Sequence, residues 1–489
     1  MSNINQRMAK GIFWMVCARL MDRSIGIVST LILARLLVPG DFGLVAMATA
    51  IAGILDLLGA FSFDFALIQK AKAETRHYNT VWTFNVIFGI FCALGLIILA
   101  GPAAGFYHEP RLTEVMYVLS FSYIVSGFSN VGVVNFRKEM AFRQEFVFNF
   151  LKRIITFVAT MTAAFLFKSY WALVIGMSVG RLVGVILSYL MSSYRPTFTL
   201  SASKELFHFS KWLLLNNFLY FLLHDGCTFI IGRIFGVTEL GIYTVAYEIS
   251  NLPTTELVAP INRVTFPGFS KMATVAEMSS AYLKIMGIIT LMIVPVGVGL
   301  AAVAEPLILV ALGEKWTNAI PLIQILALYG AIGATQGNNS TVWMALGRPR
   351  DLTINVMMFL AVLFPSLYWF ISKFGIVGAG YAYLAAVLPT VVYGQLRMRS
   401  LLQFHWADLR DVVWRPVVAT VLMFFAVRAI DHNLAHLAPI VRLVCESIWG
   451  ALWYSGTVLL LWALSRRPIG AEQFCLDRVT SFFSRVSFL

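Results

Sequence analysis

Charged side chains lie inside apolar stretches of this sequence, and their types and spacing indicate anion binding. Arg19 and Arg23 are four residues apart, so on a helix they share one face, with Asp22 beside them. An arginine guanidinium can bind a phosphate through two parallel hydrogen bonds and stays charged when it is removed from water. Two hypotheses follow: the arginines bind phosphate in a water-filled cavity, or they form a local ion pair with Asp22 that ties two helices together.

Other ionisable residues occur in similar stretches. An ionisable group in the middle of a bilayer costs at least about 2.5 kcal/mol, so each should face protein or water. The candidates for an anion-binding cavity are Arg19, Arg23, Arg35, Arg181, Arg233 and Arg263. The candidates for coupling to an ion gradient are Asp22, Asp64, Asp225, Glu248 and Glu256. The acids could equally form structural ion pairs, and Arg35 and Arg233 could equally anchor helix ends at the membrane surface.

The amino-acid composition indicates that the chain is a membrane protein. Hydrophobic residues make up 59% of the 489 positions and charged residues 12%, against about 25% charged residues in an ordinary soluble domain. A soluble enzyme and a disordered scaffold are therefore excluded. The 5 cysteines show no CxxC or Cys/His spacing, so neither a disulfide framework nor a zinc site is indicated.

Fourteen apolar stretches are long enough to cross a membrane as helices. A hydrocarbon core about 30 Å thick needs roughly 20 apolar residues in a helix, which satisfies its own backbone hydrogen bonds. The predicted spans are 11–37, 42–68, 79–101, 112–136, 145–167, 170–192, 209–235, 240–267, 281–304, 319–346, 352–372, 376–397, 413–430 and 441–464. The connections are short and leave no room for an independent catalytic domain.

The distribution of Lys and Arg residues predicts the orientation. Outside the predicted spans, these residues fall mostly in the loops of one side, which also carries both ends of the chain. The positive-inside rule therefore predicts that both termini lie in the cytoplasm. Basic loops beside an anionic leaflet account for most of the formal net charge of +13, so no nucleic-acid partner is expected.

An internal repeat predicts the architecture. A shift of 198 residues superposes Trp14 on Trp212, Arg35 on Arg233, Asp41 on Glu239 and Gly43 on Gly241. Because six spans separate the copies, we expect an all-α polytopic membrane protein with two six-helix lobes, 1–200 and 201–400, related by a pseudo-two-fold axis along the membrane normal. Two additional transmembrane helices, 401–465, and a cytoplasmic amphipathic tail, 466–489, would follow. Chance similarity between apolar helices is the alternative.

Spans five and six carry two further patterns. Gly176, Gly180 and Gly184 form a small-residue face on span six, which predicts close packing against another helix. Lys152 and Arg153 lie near the cytoplasmic end of span five, so we expect their charged ends to extend to the membrane surface.

The segment ARLLVPGDFGLVAMATAIAGILDLLGAFSFDFALIQK, residues 34–70, resembles the opening of the polysaccharide transporter family. These are Wzx-type oligosaccharide flippases of the MOP (multidrug/oligosaccharidyl-lipid/polysaccharide) superfamily, and the likeness is strongest to the exopolysaccharide and colanic-acid branch. The resemblance implies a MATE-like fold. It also implies a flippase that moves polyprenyl-pyrophosphate-linked oligosaccharide from the cytoplasmic to the periplasmic leaflet of a bacterial inner membrane, for exopolysaccharide, capsule or O-antigen synthesis.

Further expectations follow from the resemblance and the residues together. Transport would proceed by alternating access through a cationic central cavity, in a protein that functions as a monomer without a cofactor, with possible coupling to a Na⁺ or H⁺ gradient. Membrane lipids would surround the isoprenoid tail of the cargo. The polymerase and export machinery of the same pathway would be its protein partners.

Two other functions remain open at this point. A MATE-type multidrug or cation antiporter would call for an acidic and aromatic cavity, whereas basic residues outnumber acids inside the predicted spans. A membrane polymerase or ligase of lipid-linked glycan would need catalytic groups on a sizeable external loop, and the predicted connections are short.

Overall fold

The chain folds into helices, as its long apolar stretches require. The computed structural model describes residues 2–59, 67, 73–139, 141–468, 470–474 and 476–477. These residues form helices joined by short connections and include no strand. The fold is thus the all-α polytopic class that the sequence predicts.

Seven α-helices precede residue 200 in the part of the chain that the structure describes. They are α1 (Ser2–Leu36), α2 (Pro39–Gly59), α3 (Thr75–Tyr107), α4 (Arg111–Gly127), α5 (Val134–Lys138), α6 (Phe142–Phe167) and α7 (Trp171–Met191). A 3₁₀ helix, Val131–Val133, lies between α4 and α5.

Eight α-helices follow in the described part of the remaining chain. They are α8 (Ser203–Lys271), α9 (Val275–Ala302), α10 (Ala304–Ala311), α11 (Ile320–Ala345), α12 (Pro349–Phe374), α13 (Val377–Leu402), α14 (Trp406–Leu434) and α15 (Pro439–Leu464). A second 3₁₀ helix, Glu314–Ala319, leads into α11.

Each predicted span coincides, wholly or in part, with these helices. Within the described residues, 11 helices are long and apolar enough to cross a membrane, or 12 if Arg111–Gly127 and Val131–Lys138 form one span bent by 65°. Helix α1 falls outside that count because every 18-residue stretch of it holds at least three charged residues. Two predicted spans, the seventh and eighth, lie on the single long helical run α8.

Helix α8 is interrupted where the sequence predicts a turn between two spans. Gly236 has φ +79° and ψ −170°, a conformation that side chains other than glycine rarely adopt. The break therefore needs a glycine at this position. It falls between residues 235 and 240, the predicted boundary.

The chain divides into two compact units, residues 1–244 and 245–489. In the first unit, α3 packs on α4, α6 packs on α7, and α1 packs on α6. In the second, α9 packs on α11 and α14, and α12 packs on α13. The two additional helices predicted after residue 401 are α14 and α15, which pack on each other within the second unit. The predicted lobe boundaries at 200 and 400 stay a prediction.

Two turns related by the internal repeat meet within the first unit. A Cβ atom on Gly43 would overlap the backbone carbonyl of Val237, and one on Gly241 would overlap the carbonyl of Pro39. The same shift of 198 residues relates both glycines and both carbonyls, so the contact is reciprocal. A reciprocal contact is what a two-fold relation between repeated segments produces. Glycine is required at both positions because the backbones touch.

The predicted amphipathic tail lies mostly outside the described residues, which end at 477. Its described beginning is held by protein contacts. Glu472 forms a buried ion pair with Arg415 of α14, with 2.7 Å between the Arg415 Nε and the Glu472 Oε1 atoms. Ala471 packs into an apolar cluster with Leu291 of α9 and Val458 of α15.

Candidate functional site

A cavity of about 720 Å³ lies in the first unit among α1, α2, α6 and α7. Its charged lining residues are Arg19, Asp22, Lys152, Arg153 and Arg181. Four of these are basic and one is acidic. Three of the residues singled out in the sequence, Arg19, Asp22 and Arg181, therefore line one cavity.

Helix α1 presents a different pair of residues to the cavity than the four-residue spacing predicts. Arg19 and Asp22 line it, whereas Arg23 is half-buried and is not among the lining residues. On a helix, positions i and i+3 also share a face, so the cavity lies on the Asp22 side of Arg19. The two arginines of α1 are thus divided between the cavity wall and the neighbouring surface.

Asp22 pairs with Arg153 across two helices. The Arg153 Nε atom lies 3.1 Å from the Asp22 Oδ1 atom, which ties α6 to α1. Gly26 allows this arrangement, because a Cβ atom there would stand 3.0 Å from a terminal nitrogen of Arg153. Asp22 is therefore part of an ion pair with Arg153 of α6, a partner that was not predicted from the sequence.

The glycine face of α7 packs closely against α6, which confirms the packing predicted from the sequence. A Cβ atom on Gly176 would overlap the hydroxyl of Thr160, and one on Gly180 would lie 2.9 Å from the Thr156 Oγ1 atom. One on Gly184 would lie 3.3 Å from the Lys152 Cε atom. Positions 152, 156 and 160 of α6 therefore face α7, one turn apart.

This packing places Lys152 and Arg153 beside the cavity. Helix α6 begins at Phe142, so Lys152 lies ten residues, or about 15 Å, into the helix. Both side chains line the cavity, and the extension of their charged ends to the membrane surface stays a prediction.

Arg181 lies at the centre of α7, ten residues from either end of the 21-residue helix. One terminal nitrogen of its guanidinium donates a hydrogen bond to the Ser122 hydroxyl at 2.8 Å. The guanidinium carbon stands 3.7 Å from the centre of the Tyr123 ring, a cation–π contact. If α7 spans a bilayer, this charge is close to the midplane.

Lys152 and Arg181 differ from Arg153 in having no carboxylate partner. Within the described part of the chain, neither forms an ion pair, although both line the cavity. Two cations that share a cavity inside a membrane-spanning unit repel each other and carry a large desolvation cost. An anion bound between the two cations would reduce both their mutual repulsion and their desolvation cost.

The remaining candidates of the first unit lie elsewhere. Arg35 is exposed in the last turn of α1, and Arg233 is exposed with its guanidinium 5.6 Å from the centre of the Phe106 ring. Asp225 is half-buried, near the backbone of Gly53. None of these three candidates lines the cavity described above.

Four other candidates belong to different parts of the chain. Glu248 is exposed and Glu256 is half-buried, both in the second unit. Asp64 and the side chain of Arg263 lie outside the described residues. No group of three or more His, Cys, Asp or Glu side chains suited to a metal ion occurs in the part of the chain that the structure describes.

The helical fold is shared with solved membrane transporters. It matches the lipid II flippase MurJ in an inward closed conformation with a TM-score of 0.73 and 14% identity, covering 93% of this chain and 100% of that one. It matches an inward-facing multidrug resistance MATE family transporter with a TM-score of 0.60 and 15% identity, covering 80% of this chain and 99% of that one. These likenesses establish a MOP superfamily fold, as the sequence predicts.

The chain belongs to the polysaccharide biosynthesis protein family, whose model matches residues 32–321. It is 24% identical to the succinoglycan biosynthesis transport protein ExoT of Rhizobium meliloti over 471 residues, which cover 92% of each chain. It is 23% identical to the lipopolysaccharide biosynthesis protein WzxC of Escherichia coli over 425 residues, which cover 85% of each chain. Fold and relatives together indicate a multi-pass membrane transporter of polysaccharide biosynthesis, and they confirm the family resemblance of residues 34–70.

Proposed function

We propose that this protein moves a polyprenyl-pyrophosphate-linked oligosaccharide from the cytoplasmic to the periplasmic leaflet of a bacterial inner membrane. The observation that carries the proposal is the pair Lys152 and Arg181, two cations in one cavity that form no ion pair with any residue the structure describes. A sugar-linked pyrophosphate diester carries two negative charges. Bound between the two side chains, it would neutralise both cations and be neutralised by them.

The cavity has room for such a head group. Liquid water occupies about 30 Å³ per molecule, so 720 Å³ corresponds to roughly two dozen water molecules. This volume accommodates a pyrophosphate with its nearest sugar and some remaining water. The isoprenoid tail would stay in the lipid while the head group changes sides.

Arg181, Lys152 and Arg19 would each contact the pyrophosphate in a different way. Arg181 can hold one phosphate through two parallel hydrogen bonds, because a guanidinium presents its N–H groups as a planar fork. Lys152 supplies a second charge without a fixed direction, and Arg19 adds a third at the α1 wall. Alternating access by one protein molecule, with both termini in the cytoplasm and possible coupling to Na⁺ or H⁺, completes the proposal.

Export of polymer by cells that depend on this protein tests the assignment. Arg181→Ala and Lys152→Ala should each abolish export at unchanged protein level, and Arg181→Lys should recover part of it because charge is kept while the planar fork is lost. Arg143→Ala is the matched control, since Arg143 is exposed in the first turn of α6. Normal export by Arg181→Ala and Lys152→Ala would overturn the proposed site.

A further inference from the structure

Arg181 is held from behind by side chains that do not line the cavity. Ser122 and Tyr123 of α4 are 2% and 6% exposed, and they contact the guanidinium through a hydroxyl and a ring face. The Tyr123 hydroxyl in turn donates a hydrogen bond to the Asp56 Oδ2 atom of α2 at 2.6 Å. Three helices, α2, α4 and α7, therefore meet at this one charge.

Each polar group in this arrangement has a defined role. The Ser122 hydroxyl donates its own proton to the Leu119 carbonyl at 2.8 Å, so its lone pairs remain for Arg181. The Tyr123 hydroxyl donates to a carboxylate, which pushes electron density into the ring and strengthens its attraction for a cation. Arg181 donates to Ser122 and contacts Tyr123, so most of its five N–H donors have no acceptor within the described residues.

The positive charge of Arg181 is offset indirectly, whereas that of Arg153 is offset by a direct ion pair. Asp22 pairs directly with Arg153, with 3.1 Å between the Asp22 Oδ1 and the Arg153 Nε atoms, so a negative charge lies beside that guanidinium. Asp56 accepts its hydrogen bond at the hydroxyl edge of the Tyr123 ring, whereas Arg181 lies over the face of that ring, so the negative charge of Asp56 offsets the cation without a direct ion pair. An arginine buried in this way keeps its ability to bind a second anion. A carboxylate in direct contact, as at Arg153, repels a second anion from the same guanidinium.

We propose that Asp56, Ser122 and Tyr123 are positioning residues for anion binding at Arg181. They fix the guanidinium against the cavity wall and offset its charge through the Tyr123 ring, and they leave its other N–H groups for a phosphate. This inference rests on the proposed function, which places a phosphate in the cavity.

Calorimetric titration of inorganic pyrophosphate into the full-length protein in nanodiscs measures the effect. Tyr123→Leu should weaken binding about tenfold, because the cation–π contact and the link to Asp56 are both lost. Tyr123→Phe keeps the ring but breaks the link to Asp56, so it should recover only part of that loss, and Ser122→Ala should weaken binding by a few-fold. Tyr117→Leu, on the exposed face of the same helix, should bind as the unmodified protein does.

Asp56→Asn separates positioning from simple electrostatics by the sign of its effect. Removal of a nearby negative charge would by itself tighten binding of an anion. If Asp56 acts by holding Tyr123, Asp56→Asn should instead weaken binding several-fold, and this weakening should disappear in a Tyr123→Phe background, where the link is already broken. A general loss of packing would weaken binding in both backgrounds and would not produce this dependence on Tyr123.

The outcomes distinguish this inference from the proposed function. If Arg181→Ala binds pyrophosphate as the unmodified protein does, the phosphate site itself is overturned. If Arg181→Ala loses binding while Tyr123→Leu, Ser122→Ala and Asp56→Asn retain it, the site stands and the positioning role is overturned. Tighter binding by Asp56→Asn would also overturn the positioning role.

Discussion

Arg153 and Arg181 line the same cavity, but their positive charges are offset in different ways. Arg153 forms an ion pair with Asp22, whereas Asp56 is linked to Arg181 through Tyr123. The Asp22–Arg153 pair is partly exposed, with side-chain exposures of 64% and 38%, so it contributes at most about 1 kcal/mol to stability. The ion pair between α1 and α6 therefore contributes little to the stability of the protein. Its larger effect is on anion binding, since the Asp22 carboxylate beside Arg153 repels an anion from that guanidinium.

Neutralisation of Asp22 should accordingly tighten anion binding. Asp22→Asn removes the negative charge from the cavity and releases Arg153, and we expect pyrophosphate to bind roughly 3- to 10-fold more tightly. Titration calorimetry measures the change, with the melting temperature of the same sample as a check on folding. Weaker binding by a folded Asp22→Asn variant would show that Asp22 supports the site instead of competing for it.

The sequence predicted part of this arrangement. Arg19, Asp22 and Arg181 were identifiable because a charged residue in an apolar helix must face protein or water. Lys152 and the set behind Arg181 were not, because a hydropathy pattern gives a residue's depth along a helix but not which helix it faces. Tyr123 and Ser122 carry no sequence signal of their own, since tyrosine and serine are common in apolar spans.

Helix packing depends on the glycine face of α7. A methyl group at Gly176 would overlap Thr160, so Gly176→Ala must push α6 and α7 apart, which should cost about 1–3 kcal/mol. Gly101→Ala in α3 is the matched control, because a Cβ atom there has nothing within 4 Å and alanine favours a helix.

Thermal unfolding in detergent measures both variants. We expect a lower melting temperature for Gly176→Ala and an unchanged or higher one for Gly101→Ala. Equal melting temperatures for the two variants would contradict the close contact between α6 and α7.

The reciprocal contact of the repeated turns provides a test at the scale of the whole molecule. A Cβ atom on Gly40 would lie 3.5 Å from the Thr238 Oγ1 atom, which is close enough for two cysteines to form a disulfide with small adjustments. If transport requires these turns to separate, the Gly40→Cys, Thr238→Cys double variant should stop exporting when oxidised and resume when reduced.

The single cysteine variants control for the substitutions themselves and should export under both conditions. Insertion into the membrane should be unaffected in all three variants. Export that continues with complete crosslinking would rule out alternating access that opens at these turns.

Orientation is a separate property of the whole chain. Because basic residues concentrate in the loops of one side, cysteines placed at Ala73 or Ser203 should react only with a reagent applied from the cytoplasm, and one at Glu109 only from outside. Membrane-impermeant maleimide labelling of intact cells and inverted vesicles measures this. The reverse pattern would invert the proposed direction of transport.

Reconstitution tests the central claim most directly. Purified protein in liposomes that contain a polyprenyl-pyrophosphate-linked oligosaccharide should relocate the sugar to the opposite leaflet without altering its covalent structure. The Lys152→Ala, Arg181→Ala double variant should fail to do so, while Arg143→Ala should match the unmodified protein. Equal rates of sugar relocation by the double variant and the unmodified protein would contradict the account, as would unmodified protein that transports organic cations but leaves the lipid-linked sugar in place.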